Sequence, residues 1–563
     1  MLSIRRLLAI IFIALGICLV FLVVDGWQVR DRALETVNDK FDITPLEIIG
    51  EAVPEKQTKF ILVSGEESAP VLRNIRDLLE RWGVGFSCTD YVSSFDEAGK
   101  PVYVFCQDSI SSVTDLISLT EFVENGGRIV LAGGIAEGNA DSYLDVLLGI
   151  NWKADRVETG SFSFAEGFLP FQEETMAYDS FNASTSLRVR QDASVYVTDS
   201  SSGIPVVYSY PYGAGKAMVI NGTLMEDSRC MGLLSGLLAN ELEGFAYPIV
   251  DARAVFLDNF PVVAYVSDED CMRVYGRRSN DFAQNVVWPV FQGYALRNQL
   301  KYTSSVLTVG TEASFFPEQS DQTFYAMGKS ALSYGGEFVD GGDFSGEGAL
   351  VENSSFYRKF QRFFPRYEIT GLTVFAGKAD TEQLAKQPNV IRSRVRGDGE
   401  NATVSDVDIR DGIYYFPLIT DSLSPDDGGL FDTAMYIASE GILSHRINMN
   451  ELILNEAGEG AWDDNRKLIE DYWERIIGET DWMESLTLSE AADNIHGYRN
   501  LEYELTGEPD GIRIQCTAFR PGQAFLLHDN RKPGAVTGGE ITPLNGDYYL
   551  VKVLTGDVRI DFE

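Results

Sequence analysis

Histidine is scarce in this chain of 563 residues, and cysteine is only slightly more frequent. The histidines are His445, His496 and His528, so a metal site built from imidazoles close together in the sequence is nearly excluded. None of the six cysteines forms a C-x-x-C pair, which excludes a zinc ribbon and a thioredoxin-like motif. They are also too few and too scattered to form a disulfide scaffold.

Basic residues are outnumbered as well. Lysine and arginine total 46 against 84 aspartates and glutamates, which gives a formal charge of −38. A surface this acidic repels phosphate backbones, so we expect no nucleic-acid partner. The 45% of hydrophobic residues excludes a disordered protein, and the length predicts three or four domains. The alternation of strand and helix patterns along the chain predicts an α/β multidomain protein. Carboxylates are therefore the main candidate functional groups.

Residues 1–25 are predicted to form a transmembrane signal anchor. Leu7 to Val24 carries no charge, follows Arg5 and Arg6, and is about 27 Å long as a helix, close to the bilayer thickness. The following residues lack an A-x-A-like cleavage pattern, so we expect the anchor to be retained. The prediction is a single-pass protein of the cell membrane, with a stalk at 26–57 and extracytoplasmic soluble domains.

Residues 58–250 are predicted to form a flavodoxin-like or amidotransferase-like domain with a parallel sheet. Apolar runs at 60–63, 101–106 and 128–132 alternate with helical periods at 71–82 and 116–123. The stretch EFVENGGRIVLAGG resembles class I glutamine-amidotransferase-like domains. Those enzymes need a nucleophilic cysteine beside a histidine, whereas Cys106 has no G-x-C-x-G turn and no histidine precedes His445. We therefore expect a non-catalytic domain.

Residues 251–497 again alternate strand and helix patterns, which predicts an irregular (β/α) barrel. Residues 498–563 carry short alternating strands between Gly, Pro and Asp turns, which predicts a small β-sandwich.

The motif AYVSDED contains the main candidate site residues. We predict that the run Val262–Val266 is a strand that delivers Asp268 and Asp270 at its carboxyl end, where barrel active sites lie. On an extended chain, D-x-D places both carboxylates on one side, so that one could hold a metal while the other acts as a base. The alternative is a solvated acidic loop, which is common in a chain with 84 acidic residues.

Residues 251–497 resemble the polysaccharide deacetylase superfamily (NodB homology). Within that superfamily they resemble the deacetylase domain of Pel-type proteins. The stretches FLDNFPVVAYVSDEDCM and GILSHRINMNEL, and the pair Trp288-Pro289, carry this resemblance. The domain order also resembles a membrane-anchored family of uncharacterised proteins. The resemblance implies that Asp268 is the catalytic base, that Asp270 is a metal ligand and that His445 is the general acid. A hydrogen-bonded structural histidine is the alternative for His445.

The resemblance also implies a H-x-x-x-H pair of metal ligands, which this sequence lacks. The segment SYGGEFVDGGDFSG stands in its place and offers Glu337, Asp340 and Asp343. Such an all-oxygen site would favour Mg²⁺, Ca²⁺ or Mn²⁺. The alternative is that these acidic residues belong to a turn and bind no cation. A divalent cation therefore remains an open hypothesis for this chain.

Three functions stay open. The first is a degenerate deacetylase-like protein of cell-surface or exopolysaccharide biosynthesis that binds glycan or assembly partners. The second is an active metal-dependent polysaccharide N-deacetylase, and the third is a cell-envelope interaction scaffold without a glycan role. We expect Asp268, Asp270 and His445 to converge at the carboxyl ends of the barrel strands in all deacetylase-like cases.

Overall fold

The structure, a computed structural model, describes residues 43–49, 59–67, 69–96, 99–136, 142–258, 260, 266–306, 321–340, 362–365, 367, 371–374, 391–395, 407–410, 412–421, 427–455 and 458–563. The predicted anchor and all of the predicted stalk except residues 43–49 lie outside these residues. Within the described part of the chain, no helix is both long and apolar enough to cross a bilayer.

The first described strand, β1 (Glu47–Ile48), belongs to the carboxyl-terminal part of the molecule. The strands of the amino-terminal domain are β2 (Phe60–Val63), β3 (Phe86–Thr89), β4 (Val102–Phe105), β5 (Arg128–Leu131), β6 (Ile150–Glu158), β7 (Ser161–Phe164), β8 (Thr175–Ala177), β9 (Ala183–Val189), β10 (Ser194–Asp199), β11 (Pro205–Tyr212) and β12 (Gly215–Ile220). Its α-helices are α1 (Pro70–Trp82), α2 (Leu116–Glu124), α3 (Ser142–Leu147) and α4 (Met231–Glu241). Short 3-10 turns lie at Ile110–Ser112, Leu224–Glu226 and Ser228–Cys230.

The sheet of this domain has the order β3-β2-β4-β5-β12-β11-β10-β7-β8, while β6 and β9 form a separate ribbon. Strands β2 to β5 and β12 are parallel, as predicted, and the remaining strands are antiparallel. The predicted strands at 60–63, 101–106 and 128–132 and both predicted helices are confirmed. Helix α1 illustrates why: Pro70 opens it, its apolar residues follow the helical period, and Gly83 ends it with φ 66°.

The second region begins after β13 (Phe245–Ile249). Its strands are β14 (Ala252–Asp258), β15 (Tyr302–Val306), β16 (Glu337–Asp340), β17 (Gly371–Val374), β18 (Ile391–Val395), β19 (Asp408–Arg410), β20 (Ile413–Leu418), β21 (Thr420–Asp421) and β22 (Ile442–Asn448). Its helices are α5 (Asp268–Tyr275), α6 (Ser279–Phe282), α7 (Trp288–Arg297), α8 (Asp321–Ser333), α9 (Asp427–Glu440), α10 (Met449–Ile453), α11 (Trp462–Tyr472) and α12 (Leu488–Arg499). Single π-helical turns lie at Ala283–Val287 and Trp473–Ile477.

These strands form one sheet in the order β19-β20-β18-β17-β16-β15-β14-β22-β21, and every pair except β19–β20 is parallel. Strand β20 pairs with β18, and β21, which begins two residues after β20 ends, pairs with β22. One extended segment therefore joins both sides of the sheet and closes it. We call this closed sheet the barrel.

Two further sheets face each other at the carboxyl terminus. Their strands are β23 (Glu502–Glu508), β24 (Gly511–Phe519), β25 (Gln523–His528), β26 (Pro533–Thr537), β27 (Gly539–Pro543), β28 (Tyr548–Val553) and β29 (Asp557–Phe562). One sheet has the order β1-β24-β29-β26, with β23 also paired to β24, and the other has the order β13-β25-β28-β27. Ile514, Phe525, Val551 and Ile560 lie in their common core.

The carboxyl-terminal sheets take in two segments from outside residues 498–563. Strand β13 pairs with β25, although sequence analysis places it in the amino-terminal domain, and β1 pairs with β24. The residues before β1 are also docked, because the backbone N–H and hydroxyl of Thr44 donate to the Asp493 carboxylate at 2.7 and 2.9 Å. Arg520 donates to the same carboxylate at 2.8 Å. The domain boundaries predicted from the sequence stay predictions. The pairings of β1 with β24 and of β13 with β25 join segments that those boundaries place in different parts of the chain.

Helix α9 lies between the barrel and the amino-terminal domain. It packs against α4 so closely that a Cβ on Gly232 would lie 2.6 Å from the Cα and carbonyl oxygen of Met435. At the other end of α9, Arg81 pairs with Glu440 at 2.6 Å, and the Trp82 indole donates to the carbonyl of Ser439 at 3.0 Å. The amino-terminal domain therefore holds this helix along its length.

Candidate functional site

A buried carboxylate–guanidinium pair lies at the carboxyl ends of neighbouring barrel strands. Asp258 ends β14, and its carboxylate forms an ion pair with Arg446 of β22. The hydroxyl of Ser305, on β15, donates to the other carboxylate oxygen at 2.5 Å. The side chain of Asp258 is 4% exposed and that of Arg446 is 12% exposed. We call these three residues the strand-end cluster.

Strand register places the strand-end cluster on the inner face of the barrel. Asp258 pairs with Ser305, and Phe256 pairs with Arg446, so all four side chains share one face of the sheet. On this face the rings of Phe256 and Phe416 approach to 6.2 Å, although their strands are not neighbours in the sheet. A polar cluster at this end of a parallel barrel occupies the position in which such folds bind and transform ligands.

His445 faces the other way. Alternation along β22 turns its side chain to the face opposite Arg446, where its ring lies 4.5 Å from that of Tyr472 in α11. Tyr302 shares this outer face and contacts Trp288 and Phe291, which lie in α7. Helix α9 ends at Glu440, β22 begins at Ile442, and His445 lies in the middle of that strand. The structure therefore packs this fully buried imidazole into the layer between sheet and helices.

Asp268 and Asp270 lie in a helix. Apart from Val266, the predicted strand Val262–Val266 lies outside the described residues. The side chain of Ser267 accepts the backbone N–H of Asp270 and caps α5, so the prediction of an extended D-x-D is wrong. Helical residues two positions apart do not face each other, so the two carboxylates have separate partners. Asp268 accepts hydrogen bonds from the backbone N–H and hydroxyl of Ser279 at 2.9 and 2.7 Å. The hydrogen bond from Arg273 lowers the pKa of Asp270 below its usual value.

The acidic segment proposed for a cation is described only in part. Asp340 ends β16, but its side chain and all of Asp343 lie outside the described residues. Glu337 is buried, and it accepts hydrogen bonds from the Ser489 backbone N–H at 2.9 Å and from the Ser489 hydroxyl. Burial raises the pKa of Glu337. The Glu337 carboxylate therefore accepts one of the backbone N–H groups that the first turn of α12 leaves without an intrahelical partner.

The fit of a divalent cation can be tested at the strand-end cluster. Arg446 already neutralises Asp258, and its guanidinium would repel a cation placed against the same carboxylate. Across the described part of the chain, no three His, Cys, Asp or Glu side chains group together as a candidate metal site. The described residues therefore do not fit the divalent cation that the resemblance implies.

Cys106 lies in the position where the amidotransferase resemblance would look for a nucleophile. It is 2% exposed, and burial raises the pKa of its thiol well above the usual value. Its Sγ lies 3.7 Å from the carbonyl oxygen of Val104. A nucleophilic cysteine needs an exposed thiolate, so this environment suits a core residue.

Fold and site together define a mixed α/β multidomain protein whose closed parallel sheet carries a buried ion pair at the carboxyl ends of its strands. Residues 118–334 match a family described as an uncharacterised protein conserved in bacteria (DUF2194). The crystal structure of Agd3, described as a novel carbohydrate deacetylase, superposes with a TM-score of 0.52 over 90% of this chain and 98% of that chain, at 9% identity. This chain therefore shares the overall fold of Agd3.

Other solved structures match shorter parts. A β-galactosidase from Bacillus circulans sp. alkalophilus has 12% identity and a TM-score of 0.25, and the match covers 32% of this chain and 31% of that chain. A cytoplasmic protein from Salmonella typhimurium has 16% identity and a TM-score of 0.22, and the match covers 29% of this chain and 87% of that chain. No curated protein matches the sequence.

Proposed function

We propose that this protein is a membrane-anchored, extracytoplasmic glycan-binding protein with a degenerate polysaccharide deacetylase-like barrel. The observation that carries the proposal is the strand-end cluster, in which Asp258, Ser305 and Arg446 meet inside a barrel of the Agd3 fold. Agd3 itself is described as a carbohydrate deacetylase. We further propose that the protein acts in cell-surface or exopolysaccharide biosynthesis, alongside other assembly proteins.

The chemistry of the strand-end cluster suits sugar hydroxyl and acetamide groups. The Asp258 carboxylate accepts hydrogen bonds, and the Arg446 guanidinium has several N–H donors in a fixed plane. Because each side chain holds the other by an ion pair, both are oriented before a ligand arrives. The cluster can therefore recognise a sugar through polar contacts without bond cleavage.

The degenerate hypothesis rests on the positions of the histidines. The sequence lacks a H-x-x-x-H pair, and His445 packs against Tyr472 on the outer face of the sheet rather than beside Asp258. One observation favours an active deacetylase instead. Asp258 places a carboxylate at the end of a barrel strand, where a general base for attack on an acetamide would stand.

A pair of aspartate variants tests this proposal. We expect the full chain to bind N-acetylated hexosamine oligosaccharides and Asp258→Asn to weaken that binding by about tenfold or more, because Asn cannot hold Arg446 as an ion pair. Asp268→Asn is the matched control, since that carboxylate caps Ser279 in a neighbouring helix. Calorimetric titration gives the affinities, and an acetate-release assay on the same samples reports hydrolysis.

Each outcome bears on one hypothesis. Acetate release that is abolished by a chelator and by Asp258→Asn would replace the degenerate hypothesis with the active one. Loss of glycan binding or of acetate release in Asp268→Asn alone would place the functional site at the motif AYVSDED instead of the strand-end cluster. A chain that binds no glycan in any of these assays would favour the interaction scaffold.

The anchor has its own test. The uncharged run Leu7 to Val24 and the absence of a favourable cleavage pattern lead us to expect an intact amino terminus in the membrane fraction. Amino-terminal sequencing of that fraction should begin at or near Met1. A mature chain that begins near residue 25 or later contradicts the retained anchor.

A further inference from the structure

The direction of α9 shows which part of the amino-terminal domain lies nearest the mouth of the barrel. Strands β21 and β22 are parallel, with Thr420 opposite His445, and α9 is the connection between them. A helix that joins parallel strands runs antiparallel to them, so α9 begins at the carboxyl ends of the strands. Asp432, in the second turn of α9, therefore lies towards the end of the barrel that carries the strand-end cluster.

Arg229 of the amino-terminal domain fastens a loop to this part of α9. Its guanidinium donates to both carboxylate oxygens of Asp432 at 3.1 Å and to Asp179 at 2.7 Å, and it also bonds Ser180. The Tyr178 ring lies 5.3 Å from the guanidinium carbon and 5.3 Å from the ring of Phe431. Residues 178–180 are thereby fixed on the first turns of α9.

Phe181 follows directly and is 69% exposed. The next residue, Asn182, is fully buried and donates to Thr159 and Ser184 at 2.7 and 3.1 Å. Phe181 is thus an exposed aromatic ring between two anchored positions, next to the helix that begins at the barrel mouth. Because the residues on both sides of Phe181 are held, its two side-chain torsions are the main freedom that the ring loses when a ligand covers it.

We propose that Phe181 is a sugar-stacking subsite that the amino-terminal domain contributes to the rim of the barrel. It would bind the apolar face of a pyranose several units along a glycan whose nearer sugar contacts the strand-end cluster. The exposed carboxylate of Asp179 and the charge of −38 favour a neutral or partly cationic hexosamine polymer over an anionic one. This inference rests on the proposed glycan-binding function and gives the amino-terminal domain a direct part in it.

Chain length separates this subsite from the strand-end cluster. We expect Phe181→Ala to weaken binding of the hexamer of N-acetylglucosamine by about tenfold, because it removes the stacked ring, and to leave binding of the dimer unchanged. Phe181→Trp should retain hexamer binding. Tyr143→Ala is the matched control, since Tyr143 is an exposed aromatic on α3 of the same domain. Calorimetric titration of the full chain gives these affinities, and equal thermal midpoints establish that the variants are folded.

The possible results divide cleanly. Wild-type hexamer affinity in Phe181→Ala overturns the stacking subsite and leaves the proposed glycan-binding function standing. An equal loss for dimer and hexamer also overturns it, because the substitution would then act through the strand-end cluster. A wild-type chain that binds neither oligosaccharide overturns both this inference and the proposed glycan-binding function.

Discussion

Arg229→Met should lower the free energy of unfolding by about 3–5 kcal/mol, the usual cost when one partner of a buried ion pair is removed. The Arg229 side chain is 4% exposed, and its partners Asp432 and Asp227 are 9% and 26% exposed. Methionine fills most of the same volume, so the loss reports the charge and its hydrogen bonds rather than a cavity. Urea unfolding followed by circular dichroism measures the change.

Two further variants give this prediction a scale. Arg229→Lys keeps the charge but loses the planar guanidinium, and we expect an intermediate loss because a single ammonium cannot span Asp179, Asp227 and Asp432. Arg513→Met removes an ion pair of exposed side chains with Asp557 and should change stability far less. Equal unfolding midpoints for Arg229→Met and Arg513→Met would show that the buried arginine does not stabilise the contact between the domains.

The second large effect is expected at Gly232. A Cβ at this position would lie 2.6 Å from the backbone of Met435, so Gly232→Ala should push α4 and α9 apart and cost about 1–3 kcal/mol. Because α9 leads directly into β22, we also expect the variant to weaken glycan binding through Arg446 if the strand-end cluster binds sugar. Unfolding and calorimetric titration on the same sample report both effects.

Gly293 offers a matched comparison in another helix. It lies within α7, and a Cβ there would meet nothing within 4 Å. Gly293→Ala should therefore raise stability by up to about 1 kcal/mol through helix propensity alone. If Gly232→Ala stabilises the chain as Gly293→Ala does, the close contact between α4 and α9 is not a constraint on this fold.

Local patterns were sufficient to predict much of the architecture. Helix α1 carries its own proline start, apolar period and glycine stop, and α12 begins with the capping box of Thr487 and Glu490. Local sequence patterns do not predict which distant segments pair as strands. Strand β13 joins β25 across more than 250 residues, and nothing within the segment 245–249 indicates that partner.

The candidate site shows the same limit. Asp258 ends the apolar run of β14, which is a usable signal, but Ser305 and Arg446 are 47 and 188 residues away along the chain. The acidic residues of the motif AYVSDED are adjacent in the sequence, and the Ser267 cap places them in the first turn of a helix. The motif around His445 indicates a site residue, whereas the position of His445 in β22 decides the face on which its side chain lies. Neither the cap nor the register is visible in a short motif.

The docking of residues 44–48 has a mechanical consequence. Strands β1 and β29 pair with different parts of the same edge of β24, β1 with residues 518–519 and β29 with residues 511–515. Tension between the two ends of the described chain therefore passes through that one strand. Strand β1 has two register pairs, Glu47 with Phe519 and Ile48 with Ala518, whereas β29 is paired with β24 over residues 557–561. The first segment to detach under load would therefore be β1 together with Thr44, and its release would add length to the chain before the amino-terminal domain while the barrel and its ion pair stay folded. In force spectroscopy this segment should detach at a lower force than the force that unfolds either large domain.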